Sequence, residues 1–437
     1  MPFTSPVFLF FLLPIALAIY QLIPIKLRNI YLLSISIIFY GWTEWDFLPF
    51  ILGSIFINWS LSYCIQRFPN QKKIFLGMGI LQSVGLLVYS RLSVAHLGLS
   101  FFTFHSISYL VDVFKNKARP TSLINLGVYS IFFPQVTAGP INRYANMHHQ
   151  LVDQSTIAGP SISSGIEQFI IGLSQKMLLA STLGILADQV FGFAASDISF
   201  GLSWLGIVAY TLQIYFDFAG YSNMAIGLGR MFGYELSENF NLPYISRSIT
   251  EFWTRWHISL TSWLREYIYF PLGGSRAGQV RTYLNILIVF LISGIWHGAG
   301  WQFVAWGMWH GLFMVFEKYF DITKSKISAV VMHVYTLLVV MFGWVLFRSS
   351  SISSAIQYIQ ILLGKNIGSY GIVDWLSYMT PYTIFIFVLS IALALGYKFS
   401  LPQKYVLVRV IGLCLLLLLS LLKVASSTYT PFIYAKF

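Results

Sequence analysis

The feature that most constrains this chain is a succession of apolar stretches, each about as long as a bilayer is thick. About 20 apolar residues in a helix cross the hydrocarbon core of a membrane. Only 10% of the 437 residues are charged, whereas 57% are hydrophobic and 18% are aromatic. A soluble domain carries about 25% charged residues. This chain therefore has too few charged residues to solvate the surface of a globular protein. The sequence therefore predicts an all-α protein that crosses the membrane many times.

Stretch length locates the individual crossings, of which we expect about 10–12. The predicted spans are residues 5–23, 29–40, 47–65, 74–89, 98–114, 165–190, 202–218, 283–296, 301–320, 327–347, 382–395 and 405–422. The first stretch lacks a basic leader and a small-residue cleavage site, so we expect it to be retained. Prolines interrupt residues 120–150, and charges separate short apolar groups in residues 230–281. Both patterns predict re-entrant or interfacial helices.

The distribution of charge predicts an orientation. The net charge is +12, from 27 basic and 15 acidic residues. Basic residues follow the first, third and fifth predicted spans, whereas Glu44 and Asp46 follow the second without a cation. Since basic loops stay in the cytoplasm, this alternation places the N-terminus outside. No basic stripe lies outside the spans. We therefore expect the basic residues to lie at the cytoplasmic side of the bilayer and not to bind nucleic acid.

Titratable side chains inside this apolar chain concentrate in residues 250–311, which hold His257, His297 and His310. Such groups are costly in a membrane, so they tend to face an interior cavity and carry function. His297 stands in a Trp-His-Gly motif beside glycines that let a substrate approach the backbone closely. A neutral imidazole can accept a proton from a hydroxyl at physiological pH. The pattern favours acyl transfer, with one imidazole activating an alcohol.

Two further residues, Asp217 and Arg255, have more than one interpretation. Asp217 ends a predicted span before a glycine, where it could orient an imidazole or pair with an arginine; a structural ion pair explains it equally well. Arg255 could contact the phosphates of a donor or lipid head groups. There is no Walker A loop, G-x-S-x-G elbow or H-E-x-x-H motif. We therefore expect no metal site. The missing motifs also argue against covalent serine catalysis and phosphoryl transfer.

Residues 213–311 also carry a family resemblance. Their sequences QIYFDFAGYSNMAIGLGRMFGYELSENFNLPYISRSITEFWTRWHISLTSWLREYIYFPLGG and SGIWHGAGWQFVAWGMWHG resemble the membrane-bound O-acyltransferase family, and within it the bacterial alginate O-acetyltransferase branch. The sequences LGLSFFTFHSISYLVDVF, FFPQVTAGPINRY and PFIYAKF extend the resemblance over most of the chain. It implies one membrane domain over residues 1–437, around a central funnel or tunnel. We expect N-terminal spans in 1–119, a catalytic core in 120–320 and C-terminal spans in 321–437.

The resemblance implies a function and a set of site residues. It implies that His297 and His257 are catalytic; the candidate substrate contacts are Arg255, Trp296, His310 and Asp217. The expected reaction moves acetyl from cytoplasmic acetyl-CoA to an extracytoplasmic polysaccharide, through a periplasmic SGNH-type partner transferase, with no bound cofactor. The expected location is the bacterial inner membrane. D-alanyl transfer to teichoic acid from a carrier-protein thioester is one alternative, and a polysaccharide transporter or scaffold is the other.

Overall fold

A computed structural model describes residues 1–93, 96–153, 162–322, 327–365, 375–397 and 405–426. Within these ranges the chain is almost wholly helical. Its β-structure there is one isolated antiparallel bridge between Phe240 and Trp256. The predicted all-α fold is confirmed.

The chain divides into two compact units. The first unit comprises Met1–Leu173, Gly220–Glu238 and Leu413–Phe437, and the second comprises Ser174–Ala219 and Asn239–Gly412. The α-helices up to the first unit boundary are α1 (Leu13–Leu22), α2 (Arg28–Glu44), α3 (Leu48–Arg67), α4 (Lys72–Leu92), α5 (Leu99–Phe114), α6 (Leu123–Ile131), α7 (Phe133–Val136), α8 (Tyr144–Val152) and α9 (Ile162–Ser174). The short helices α6 to α8 fill the segment that prolines were expected to interrupt.

The remaining helices follow in chain order. They are α10 (Ser181–Gly192), α11 (Phe200–Met231), α12 (Ile249–Arg255), α13 (Ile258–Leu264), α14 (Gln279–His297), α15 (Trp301–Tyr319), α16 (Ala329–Arg348), α17 (Ile352–Leu362), α18 (Pro381–Ala394) and α19 (Val406–Ser426). Wider π-helical turns occur at Phe8–Leu12, Gln175–Ala180 and Arg265–Tyr269. Short 3-10 helices occur at Ile25–Leu27, Pro69–Gln71, Ala195–Asp197, Pro243–Ile245 and Trp375–Tyr378.

Six helices in the described ranges are long and apolar enough to cross a membrane. They are Leu48–Arg67, Pro69–Leu92, Ile162–Gly192, Gln279–His297, Ala329–Arg348 and Val406–Ser426. Shorter apolar helices lie at Phe8–Leu22, Leu99–Phe114, Ile352–Leu362 and Pro381–Ala394. The protein is therefore polytopic. The predicted spans 29–40, 202–218 and 301–320 fall on helices outside both sets.

One predicted boundary is wrong. Asp217 does not end a helix, because α11 continues without interruption from Phe200 to Met231. A Cβ on Gly172 of α9 would overlap the backbone around Gly220, the residue expected to break the helix. Small residues at such a position let two membrane helices approach each other closely. Gly172 therefore allows α9 to pack closely on α11, and Gly220 does not end α11.

The helical pair α14–α15 carries two of the three histidines. Helix α14 ends at His297, and Gly300 is the N-cap of α15, which confirms the predicted break between His297 and His310. An added Cβ on Gly294 would overlap the carbonyl oxygen of Phe303. One on Gly307 would overlap the carbonyl oxygen of Phe290. The two helix backbones are thus in direct contact.

Candidate active site

His297 is the last residue of α14, and its side chain is buried among aromatic rings. The ring centroid of Trp306 lies 4.8 Å from that of His297, and the ring of Phe347 lies 5.1 Å away, both edge to face. The neighbouring Trp296 ring lies at 4.5 Å. Helix α14 ends here because Gly298 is extended, with φ 170° and ψ 164°. Three large rings therefore fix the imidazole at a helix end.

His310 is buried on α15 and shares an aromatic neighbour with His297. Its ring centroid lies 5.4 Å from that of Trp306 and 5.1 Å from that of Trp253. Neither imidazole nitrogen has a hydrogen-bond partner among the described residues. A Cβ on Gly343 of α16 would overlap Nε2 of this imidazole. The structure thus brings His297 and His310 together around one tryptophan.

His257 lies between α12 and α13 in a left-handed conformation, with φ 44° and ψ 53°. A non-glycine residue rarely adopts these angles without support from its surroundings. The backbone N–H of Ile258 donates to the Asn239 carbonyl at 2.9 Å, and the N–H of Asn241 donates to the Arg255 carbonyl at 3.0 Å. These two bonds hold the turn from both sides. The imidazole packs edge to face on Phe218, with 4.7 Å between centroids.

The hydrogen bonds of Asn239 determine the tautomer of His257. Asn239 Oδ1 accepts from the backbone N–H and the hydroxyl of Ser259, so this atom is the amide oxygen. It also lies 3.2 Å from His257 Nδ1. Since an amide oxygen only accepts, Nδ1 carries the proton and Nε2 carries the lone pair. Burial lowers the pKa of His257 to about 3, so the imidazole is neutral at physiological pH.

A cavity of about 400 Å³ lies beside α14 and α15. Ile286, Phe290 and Ser293 line it from α14, and His297 follows Ser293 by one helical turn on the same face. Met314 lines it from α15, one turn after His310. Its lining therefore stops one helical turn short of both histidines. Between the cavity and His310 lie the rings of two lining residues, Trp253 and Phe290.

The opposite part of the cavity lining is charged. Arg265, Lys318, Asp321 and Glu317 all contribute to it. Glu317 is buried, and its carboxylate accepts from the backbone N–H of Ile249 and, at 2.9 and 2.8 Å, from the backbone N–H and hydroxyl of Thr250. This carboxylate therefore ties α15 to the start of α12. The cavity thus has a polar end and an aromatic end.

Two predicted site residues lie in ion pairs. Asp217 is buried and pairs with Lys176 of the π-helical turn at Gln175–Ala180. Arg255 donates to Glu251 Oε1 at 2.9 Å and to the Asn241 carbonyl at 3.0 Å. For Asp217 the sequence left three interpretations open: an imidazole partner, an arginine partner and a structural ion pair. The structure shows an ion pair, and the partner is a lysine. Substrate contacts by both residues stay predictions, as does the catalytic role of His257 and His297.

Several residues of this region were not predicted from the sequence. Asn239 fixes the His257 tautomer from 18 positions away in the chain. Trp253 and Trp306 pack on His310, and tryptophans in an apolar chain look like ordinary packing residues. Glu317 had a usable signal, because it follows His310 by seven residues and such residues share a helix face. Among the described residues, no group of three or more His, Cys, Asp or Glu could hold a metal ion.

Fold and site together define an integral membrane protein with buried imidazoles beside a cavity. Residues 52–354 match the membrane-bound O-acyltransferase family. The chain is 35% identical to "Probable alginate O-acetylase AlgI" of Pseudomonas putida over the whole length of both proteins. It is 40% identical to the protein of that name from Pseudomonas syringae, over 81% of this chain and 74% of the relative. The chain belongs to the membrane-bound O-acyltransferase family.

A relative with a different printed acceptor is also similar. The chain is 33% identical to the "Peptidoglycan O-acetyltransferase" of Helicobacter pylori, over 83% of this chain and 80% of the relative. The names of these relatives share O-acetyl transfer and differ in the polymer. The protein is therefore an O-acyltransferase of the membrane.

Proposed function

We propose that this protein moves acetyl groups from cytoplasmic acetyl-CoA across the bacterial inner membrane, for O-acetylation of an extracytoplasmic polysaccharide. The main support for this proposal is the cavity that runs along α14 and α15 toward His297 and His310. Relatives named as alginate and peptidoglycan O-acetyltransferases support acetyl as the group and a polysaccharide as the final acceptor.

The two ends of the cavity have lining residues that suit the two parts of a thioester donor. Arg265 and Lys318 line its charged part, where cations would meet the phosphates of a coenzyme. Lys318 also lies on the predicted cytoplasmic side, since basic residues gather there. The apolar lining from α14 would accept the uncharged arm that carries the acetyl group. His297 lies one helical turn beyond this lining, so the acyl end of the donor would point toward it.

In the proposed reaction His297 is the general base. It takes the proton of the acceptor hydroxyl while the hydroxyl oxygen attacks the thioester carbon. His257, neutral and with its Nε2 lone pair free to accept, orients the acceptor hydroxyl. The first acceptor is a hydroxyl on a periplasmic SGNH-type partner transferase, which passes the acetyl group to the polymer. Proximity of donor and acceptor adds to the rate enhancement.

Inverted membrane vesicles test the donor, because they present the cytoplasmic face to added compounds. Vesicles that contain this protein should transfer acetyl from free acetyl-CoA. Transfer of D-alanine from a carrier-protein thioester, with no use of acetyl-CoA, would contradict the proposal. Mass spectrometry of surface glycans from cells with and without the gene would identify the polymer, and unchanged O-acetylation would contradict the function.

A further inference from the structure

Three buried indole N–H groups near the histidines lack a hydrogen-bond acceptor among the described residues. They belong to Trp253, Trp306 and Trp344. Buried tryptophan N–H groups usually have a partner. Even the partly buried indoles of Trp309 and Trp204 have partners, since they donate to backbone carbonyls of Val339 and Leu362, at 2.9 and 3.1 Å. A substrate bound beside the histidines would supply an acceptor for these N–H groups.

Trp306 is the best placed of the three. Its ring lies 4.8 Å from the ring of His297, the proposed base, and 5.4 Å from the ring of His310. Trp253 and Trp344 lie against His310, at 5.1 and 6.4 Å, and the ring of Trp306 contacts both of these indoles. Trp306 alone among these three indoles has ring contacts to both histidines in the described part of the chain. An acyl group within reach of His297 would therefore lie beside Trp306.

The position of Trp306 relative to His297 is fixed by backbone packing. Gly307, the next residue, lies so close to α14 that a Cβ would overlap the carbonyl oxygen of Phe290. Gly294, one turn before the end of α14, lies equally close to the carbonyl of Phe303. Neither helix can slide without breaking these contacts. A donor held this rigidly needs no reorganisation during a reaction, which is what makes oxyanion donors effective.

We propose that Trp306 is a further catalytic residue, whose indole N–H donates a hydrogen bond to the carbonyl oxygen of the acyl group. This inference rests on the proposed function. As the acceptor oxygen bonds to the thioester carbon, the carbonyl π electrons move to oxygen, and His297 receives the hydroxyl proton. Trp306 stabilises that oxyanion and transfers no proton. When the C–S bond breaks, the carbonyl re-forms and the thiolate takes the proton from His297, leaving an ester and a free thiol.

Replacement of Trp306 by a benzothienyl alanine isolates the N–H, because sulfur replaces nitrogen while the fused ring and its packing stay. Trp306→Phe is a second variant. The assay uses inverted vesicles with acetyl-labelled acetyl-CoA, and the readout is labelled acetate that mild base releases from the ester product. We expect kcat to fall about 10²–10³-fold, as for the loss of one oxyanion donor, with little change in KM for acetyl-CoA. The same isostere at Trp309 is the control and should keep wild-type kcat.

The outcomes separate this inference from the function on which it rests. If the Trp306 isostere keeps wild-type kcat while His297→Ala is inactive, the role of Trp306 is overturned and the proposed function stands. If His297→Ala also keeps wild-type turnover, the proposed function itself fails. Equal losses of kcat for the Trp306 and Trp309 isosteres would reveal a structural effect and would likewise overturn the assignment.

Discussion

At the level of single residues, the site depends on which imidazole nitrogen carries a proton. The amide oxygen of Asn239 accepts from His257 Nδ1 and from Ser259, so Nε2 is the acceptor. Burial holds the pKa of His257 near 3. Because this value lies below the ordinary one of about 6.5, His257 stays neutral from pH 5 to pH 8. We therefore expect the pH–rate profile to show no rise or fall (no limb) from titration of His257 over that range.

Asn239→Asp should introduce such a limb. The carboxylate keeps the hydrogen bond from Nδ1 and stabilises the imidazolium, so it raises the pKa of His257. The protonated imidazole loses its acceptor at Nε2, so activity should fall at the acid end of the range and recover as pH rises. The pH dependence of kcat checks this. Asn239→Ala is the matched control, since it removes the acceptor without adding charge, and an unshifted profile for Asn239→Asp would contradict the tautomer assignment.

The sequence alone could predict the candidate histidines and not their partners. The motif around His297 and the basic context of His257 are local patterns, visible in a few consecutive residues. Asn239 and Trp306 matter because of contacts between segments far apart in the chain. Periodicity carries no information about such contacts. Asp217 illustrates the same limit, since its partner Lys176 lies 41 residues earlier.

At the level of helices, glycines have two roles that the sequence does not distinguish. Gly298 and Gly300 separate α14 from α15, as predicted. Gly172 lies inside α9, where a Cβ would overlap the carbonyl oxygen of Gly220 in the continuous helix α11. A glycine in the sequence therefore accompanies either a helix break or a close helix contact. Such contacts appear only in three dimensions, so the break at Gly298 and Gly300 was predicted correctly and the one at Gly220 was not.

Gly307→Ala should weaken the α14–α15 pair. Its methyl group would overlap the Phe290 carbonyl, and overpacking of this kind typically costs about 1–3 kcal/mol. We expect a lower thermal midpoint in detergent and a lower kcat, because His297 and Trp306 would separate. Gly85→Ala on α4 is the control, since nothing lies within 4 Å of its added Cβ. Equal midpoints for the two variants would contradict direct backbone contact between α14 and α15.

At the level of the whole molecule, composition was sufficient to predict a polytopic all-α membrane protein. The number of crossings was harder to predict. In the described ranges, six helices are long and apolar enough to cross a membrane, and four other apolar helices are shorter. Helix length and hydropathy do not show how a short helix lies in lipid. The N-terminus outside stays a prediction from the basic loops.

Cysteine labelling tests this orientation. Cys64 and Cys414 are first replaced by serine, and a single cysteine is then introduced as Asp46→Cys or Lys73→Cys, both at exposed positions. A membrane-impermeant maleimide should label position 46 in intact spheroplasts and position 73 only after permeabilisation. The reverse pattern would invert the predicted topology and would place the charged part of the cavity lining outside.

If His297 is the general base of acyl transfer, its removal should prevent ester formation and leave donor binding unchanged. Membranes with wild-type protein and membranes with His297→Ala are given labelled acetyl-CoA, and both donor binding and ester formation are measured. A positioned general base contributes about 10²–10⁴-fold. We predict that the variant binds acetyl-CoA as the wild type does and loses at least about 10²-fold in ester formation. Wild-type turnover by His297→Ala would show that His297 is not the base of the reaction.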